Sequence, residues 1–239
     1  AWLLPDTLLP EGLSAPEARE ACRALKGSVL RQEIYALDGT AQQATPYTVE
    51  EKSYRVERLQ PLAGKAHALF LVTADQALAY HYERNAADPR ILHTLTLETD
   101  TWGNVLKSAQ VAYPRRSSSV ISEQNEMLIQ YTQNSFINVD DVENQRHFIG
   151  IPCETQTFEI KGWTGNSKME REVLLSALDN PASAGIEKML VAHSLTFFAK
   201  PQPNYATGLV ADARLPHGAI ARHGLDRKST RLNSSHRIR

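Results

Sequence analysis

Cysteine is scarce in this chain: among 239 residues only Cys22 and Cys153 carry a thiol, far apart and without CxxC or Cys/His metal spacing. That excludes a disulfide framework, and both are expected as small core hydrophobes, although one bridge between them stays compatible with the spacing. An excess of one charge is also lacking, since 26 Lys and Arg stand against 27 Asp and Glu. No net field then holds a nucleic-acid backbone or an anionic membrane over the whole surface, so nucleic acid is not an expected partner. No apolar run approaches the roughly 18 residues that a spanning helix needs, and no direct membrane insertion is expected. Neither GxxxxGKS/T, GxGxxG nor Gly-x-Ser-x-Gly occurs, which removes the phosphate loops and the nucleophile elbow. A repeat of fixed period is missing as well.

The chain opens with Ala1-Trp2-Leu3-Leu4-Pro5, lacking a Met start or a signal peptide's charged region and cleavage site, and is expected to be cut from a longer protein. At the other end, Asp226-Arg227-Lys228-Ser229-Thr230-Arg231-Leu232-Asn233-Ser234-Ser235-His236 matches the conceptual translation of a common sequencing-library adapter. Residues 226–239 are therefore expected to be artefact and carry no fold reasoning.

What is present is an apolar fraction of 42%, enough for the core of one large or two modest domains. Ser14-Ala15-Pro16-Glu17 is a capping box that predicts a helix start. Ala18, Ala21, Cys22 and Leu25 would form its buried face, and Gly27 its left-handed stop. From Ser28 the period changes to 2. Val29 to Leu37 reads as a strand ending at the Asp38-Gly39 turn, with a connection through Thr45 too long for a minimal hairpin. Tyr47 and Val49 lie on one parity and Tyr54 and Val56 on the other, which predicts a β-bulge near Glu50-Glu51. Ala66 to Val72 reads as a strand covered on both faces.

Leu78, Tyr80 and Tyr82 alternate, as do Ile91, Leu95 and Leu97, then Val105, Ala109, Val111 and Tyr113. Between the last two sets, Asp100-Thr101-Trp102-Gly103-Asn104 is a turn, so Thr96 to Leu106 predicts a hairpin. Pro114-Arg115-Arg116-Ser117-Ser118-Ser119 is the clearest break, dividing residues 1–116 from residues 117–225. Beyond it, Met127 to Val139 and His147 to Trp163 predict strands and Lys168 to Leu178 a short helix before Pro181, while the apolar run Ile186 to Ala199 fits either helix or strand and is read as strand. The fold class is mainly β (α+β): antiparallel hairpins with a capped N-terminal helix and one further short helix.

Reactive groups are present without visible partners. In Tyr80-His81-Tyr82-Glu83-Arg84, alternation sends His81 and Glu83 to the face opposite the tyrosines, a solvated strand face. His93 is in phase with Ile91 and Leu95 and reads as a satisfied core histidine. Asn138-Val139-Asp140-Asp141-Val142-Glu143-Asn144 lacks the glycine and glutamate that an EF-hand loop requires, and reads as a plain turn. Arg146-His147 with Cys153-Glu154 pairs a histidine with a thiol, but a cysteine in the apolar strand after Ile151-Pro152 is expected to be buried and inert. No catalytic, cofactor-binding or metal-binding residue is expected.

Longer runs carry a resemblance. Leu9-Pro10-Glu11-Gly12-Leu13-Ser14, Glu17-Ala18-Arg19-Glu20-Ala21-Cys22-Arg23-Ala24-Leu25-Lys26-Gly27 and Leu30-Arg31-Gln32-Glu33-Ile34-Tyr35-Ala36-Leu37-Asp38-Gly39-Thr40 resemble the middle/C-terminal region of the insecticidal toxin complex B component, the TcdB/TcaC-like proteins. So do Tyr80-His81-Tyr82-Glu83-Arg84-Asn85 with Asp88-Pro89-Arg90, and Asp100 to Val105 running on to Ala112-Tyr113-Pro114-Arg115-Arg116. The similarity runs from about Pro5 to Leu225. It implies a secreted bacterial toxin in which the B component and a C component build a shell of Rhs/YD-type β-hairpins around the C component's toxic part. Docking onto a pore-forming A component goes through a propeller of B. That propeller and the SpvB-like N-terminal region are not recognised in these residues. The Asp100-x-x-Gly103-Asn104 turn resembles one YD-type hairpin. Competing readings are an independent β-rich module binding carbohydrate or protein through Trp102 and nearby tyrosines, and an enzyme using His81/Glu83 or His147/Cys153.

Overall fold

The acid of the capping box fixes the first helix. In the computed structural model, which describes residues 2–117, 121–141 and 146–197, Ser14 caps α1 (Ala15–Ala24). One oxygen of Glu17 accepts from the backbone N–H and the hydroxyl of Ser14, at 3.0 and 2.7 Å, while the other accepts from Leu62 N–H and Arg58. Those bonds, the Ser14 backbone N–H first, hold the Glu17 carboxyl down at about 2. The neighbouring turn is tied similarly, as Glu20 accepts from Ala68 N–H at 2.7 Å and pairs with His67. The line Glu17–Ala21 therefore faces the protein, and Cys22, expected in the core, is exposed. Docking through two glutamates buries Ala21, leaves Ala18 and Leu25 half-buried and turns Cys22 out.

Eight strands follow in chain order, each beside the next: β1 (Arg31–Ile34), β2 (Thr48–Gln60), β3 (Leu69–His81), β4 (Arg90–Thr99), β5 (Val105–Ala112), β6 (Leu128–Asp141), β7 (Arg146–Lys161) and β8 (Glu187–Leu195). The sheet is mostly antiparallel, as the hairpin reading expected. A parity break exists in β2, but at Ser53/Tyr54, with Asp75 of β3 the residue left out of the pairing. The run into Val72 is not covered on both faces. It belongs to the first half of β3, where β4 does not reach, because β4 pairs only with Gln76 to His81; Leu69 is 54% exposed. β4 shows the clean alternation expected, burying Ile91, His93, Leu95 and Leu97.

The second helix, α2 (Arg171–Asp179), starts three residues later than Lys168 because Glu170 is extended and Met169 is buried as a strap. A short α3 (Pro181–Ala184) follows, and β8 confirms the strand expected after Ile186. Gly162 is required by a close approach: a Cβ there would meet the Gly185 carbonyl oxygen at 2.6 Å.

Contacts divide the chain into two units. Residues 1–97, 108–130 and 160–188 form the first, whose core holds Val49, Val56, Leu78, Tyr80, Ile91, Leu95, Val111, Tyr113 and Leu174. Of the described residues, those within 98–107, 131–159 and 189–197 form the second, where Tyr131, Ile137 and Cys153 are buried and Tyr131 stacks on Phe158. Expectations for residues 198–239, the adapter-like end included, and for 142–145 lie outside the described residues.

Candidate functional site

Three carboxylates among the described residues gather donors that hold backbone in place. The clearest convergence surrounds Asp100 in the second unit. The β4–β5 turn closes through Asp100 N–H to the Asn104 carbonyl at 3.0 Å, with Gly103 at a φ of +83° that favours glycine. Asp100 Oδ1 accepts from the backbone N–H groups of Trp102 and Asn104, at 2.9 and 2.8 Å. Its Oδ2 accepts from the side-chain amides of Asn104 and Asn138, both at 2.8 Å. Asn138, on β6, uses its oxygen to accept from Gly150 N–H of β7 at 2.8 Å. Gly150 has a φ of +69°, and a Cβ there would lie 2.7 Å from Asn104 Oδ1. Burial alone would raise the Asp100 carboxyl, but these four donors outweigh it and hold the group below its ordinary value. One carboxylate thus clasps a hairpin turn to the next two strands.

In the first unit, Asp75, the bulge residue, is 4% exposed and pairs with Arg171 at the start of α2, itself 9% exposed. Arg171 Nε donates to the Thr96 carbonyl at 3.0 Å, and Arg55 approaches Asp75 at 3.4 Å. The ion pair therefore fastens α2 to β3 and β4. A third clasp is Asp88, which accepts from Arg116 N–H at 2.8 Å, from Arg115 and from the Ser117 hydroxyl. With the Ser117 bond leading and burial opposing, these hold its carboxyl at about 2 and pin the β3–β4 connection to the segment after β5.

Among the described residues, no hydrogen bond joins His81 to Glu83 or His147 to Cys153. His81 is exposed, and Glu83 does not continue the strand: it adopts a left-handed φ of +49° and pairs with Arg90. An open cleft of about 280 Å³ is lined by His81, Glu123 and Glu126 together with Arg90 and Arg115, but no hydrogen bond among the described residues joins His81 to either glutamate. His93 is the satisfied core histidine expected, 0% exposed between Tyr113 and Gln76. His147 pairs with Asp140 at 3.1 Å and meets Trp102 edge-on, with ring centres 6.0 Å apart. Cys153 is buried as expected; burial pushes its thiol up, and the thiol donates to the Ser135 carbonyl. Its neighbour Glu154 pairs instead with His193 at 2.7 Å, a partner not singled out from sequence. Among the described residues, no group of three or more His, Cys, Asp or Glu could hold a metal ion, and no helix is long and apolar enough to cross a membrane.

Fold and clasps together define a β-rich segment in which Asp100, Asp75 and Asp88 connect strands, turns and a helix. Residues 20–151 match the family described as insecticide toxin TcdB middle/C-terminal region, and the chain belongs to that family. A crystal structure of TcdB2–TccC3 is similar over 90% of this chain at 25% identity and a TM-score of 0.70. One of TcdB2–TccC3–Cdc42 is similar over 79% at 26% identity and a TM-score of 0.63. The Photorhabdus luminescens Tc holotoxin pore, carrying a TccC3 mutation, is similar over 82% at 26% identity and a TM-score of 0.63. This chain spans 10% of the length of each of those solved chains. No curated protein matches it.

Proposed function

We propose that the chain is a non-catalytic structural segment of the B component of a secreted bacterial Tc-type toxin. In this reading it forms part of the β-shell that encloses a C component's toxic effector for delivery through an A-component pore. The partners are the C component with its effector and, through other parts of the longer protein, the A component. Residues 1–116 and 117–225 act as successive β-rich segments of the same region. The observation that carries the reading is the Asp100 clasp, where four donors converge on one carboxylate to lock a turn onto the two following strands. A wall needs its register fixed at such turns, since a slipped strand exposes its apolar face and an open edge recruits other chains. The family and the resemblance to TcdB2–TccC3 structures support the same reading.

Its test is co-expression of the longer protein with its C component, wild type against Asp100→Asn. Loss of effector protection from protease in the variant supports the shell role. A hydrolytic or transferase activity that is abolished by His81→Ala or Cys153→Ala would contradict it. Exposed Trp102, 44% accessible beside His147, favours a second reading as a carbohydrate- or protein-binding module. Glycan or partner binding lost on Trp102→Ala would support that alternative.

A further inference from the structure

We infer that His93 is an acid-sensitive latch: the neutral imidazole holds the Lys168–Glu170 strap, and through it the start of α2, against β4 and β5, and its protonation releases them. Met169 N–H donates to the Tyr113 hydroxyl oxygen at 2.8 Å. Tyr113 stands 2.9 Å from His93 Nδ1, and Gln76 Oε1 stands 3.0 Å from His93 Nε2. With the proton on Nε2, every group is used: Met169 donates to Tyr113, Tyr113 to Nδ1, and Nε2 to Gln76. With the proton on Nδ1 instead, the Tyr113 oxygen would receive two donors and its own proton would have no acceptor. The network therefore selects one neutral tautomer.

A second proton on His93 must go to Nδ1, which is the position facing the Tyr113 hydroxyl. Tyr113 then cannot donate to the ring: its oxygen must accept from both the imidazolium and Met169 N–H, and its own proton is left without an acceptor. Among the described residues, no carboxylate acts on His93 to compensate. Gln76 faces it from β3 and Tyr113 from β5; the charged group acting on it from the strap is Lys168, which disfavours a cation. Glu170 and Tyr80 act on Tyr113, and Asp75 is committed to Arg171 and Arg55. Burial, first, and Lys168 push the imidazole down from 6.5 to about 4, and burial pushes Tyr113 up to about 12.

The sign follows from linkage. Above pH 6.5 both folded and unfolded His93 are neutral; between 6.5 and about 4 only the unfolded form takes the proton, so stability falls with pH and levels off below about 4. The folded-to-unfolded ratio should drop about tenfold per pH unit in that window from this residue alone.

The experiment compares the full chain with His93→Gln by denaturant titration from pH 7.5 to 4 and by hydrogen exchange, corrected for intrinsic rates, over residues 166–180. The wild type should lose protection at Met169 and Leu174 first, and its stability should fall more steeply than that of His93→Gln by about tenfold in the ratio per pH unit. Equal pH slopes in the two proteins, or strap protection unchanged between pH 7.5 and 4.5, would overturn the inference. Should His93→Gln not fold, the wild-type imidazole is titrated by NMR. A midpoint near 4 that coincides with loss of the Met169 amide supports the latch, and a midpoint near 6.5 removes it.

Discussion

Asp100→Asn isolates what the clasp contributes. The substitution keeps one oxygen, which still accepts from the backbone N–H groups of Trp102 and Asn104. In place of the other oxygen it presents an amide donor to two further donors, the side-chain amides of Asn104 and Asn138. Asn138 cannot turn over to compensate without abandoning Gly150 N–H. The half-buried bond from Asn104 to a charged acceptor contributes about 1.5 kcal/mol, and the exposed one from Asn138 about 0.5 kcal/mol. The variant should therefore lose about 2 kcal/mol in urea unfolding, with an unchanged denaturant slope. Asp100→Ala should lose more, because the turn amides also lose their acceptor. Amide exchange reads the mechanism directly, since Gly150 N–H should exchange faster although it lies 50 residues from the mutation in sequence. A loss below about 0.5 kcal/mol with Gly150 protection intact would refute the clasp.

Arg171→Met leaves Asp75 buried without its main partner and should cost roughly 3 kcal/mol, with Arg55 supplying only partial compensation; pairing it with Asp75→Asn should recover part of the loss in a double-mutant cycle. Gly150→Ala places a side chain at a positive φ and against Asn104 Oδ1, and should cost at least about 1–2 kcal/mol by thermal or urea unfolding. Glu17 contributes stability that is fully present above pH 4.5 and lost as pH falls toward about 2, so Glu17→Gln should flatten the acid limb of the stability profile in that window.

Local signals carried the elements that local physics decides. The capping box places α1, the even alternation of Ile91 to Leu97 places β4, and Asp100-x-x-Gly103-Asn104 places the turn between β4 and β5. The partners of the buried charges were not legible. Asp75 and Arg171 lie 96 positions apart, and Asp100 and Asn138 lie 38 apart, so neither pairing leaves a periodic trace. The same cause explains three misplacements. The small residues of α1 outline a stripe that predicts a buried Cys22, whereas Glu17 and Glu20 decide the helix's orientation. The bulge sits beside Asp75 and not at Glu50-Glu51, and the strap before α2 looks helical until Met169 finds Tyr113. Asn138 read as part of a plain acidic turn, and only the fold reveals that it joins Asp100 to Gly150.

The most direct measurement is a cryo-EM reconstruction of the longer protein that contains this chain, assembled with its C component. The account predicts β1 to β8 embedded in the wall of a closed shell, with Asp100, Asn138 and Gly150 clasped and density for an enclosed polypeptide. A detached domain outside the shell, with a ligand seated against His81 or Trp102, would contradict it.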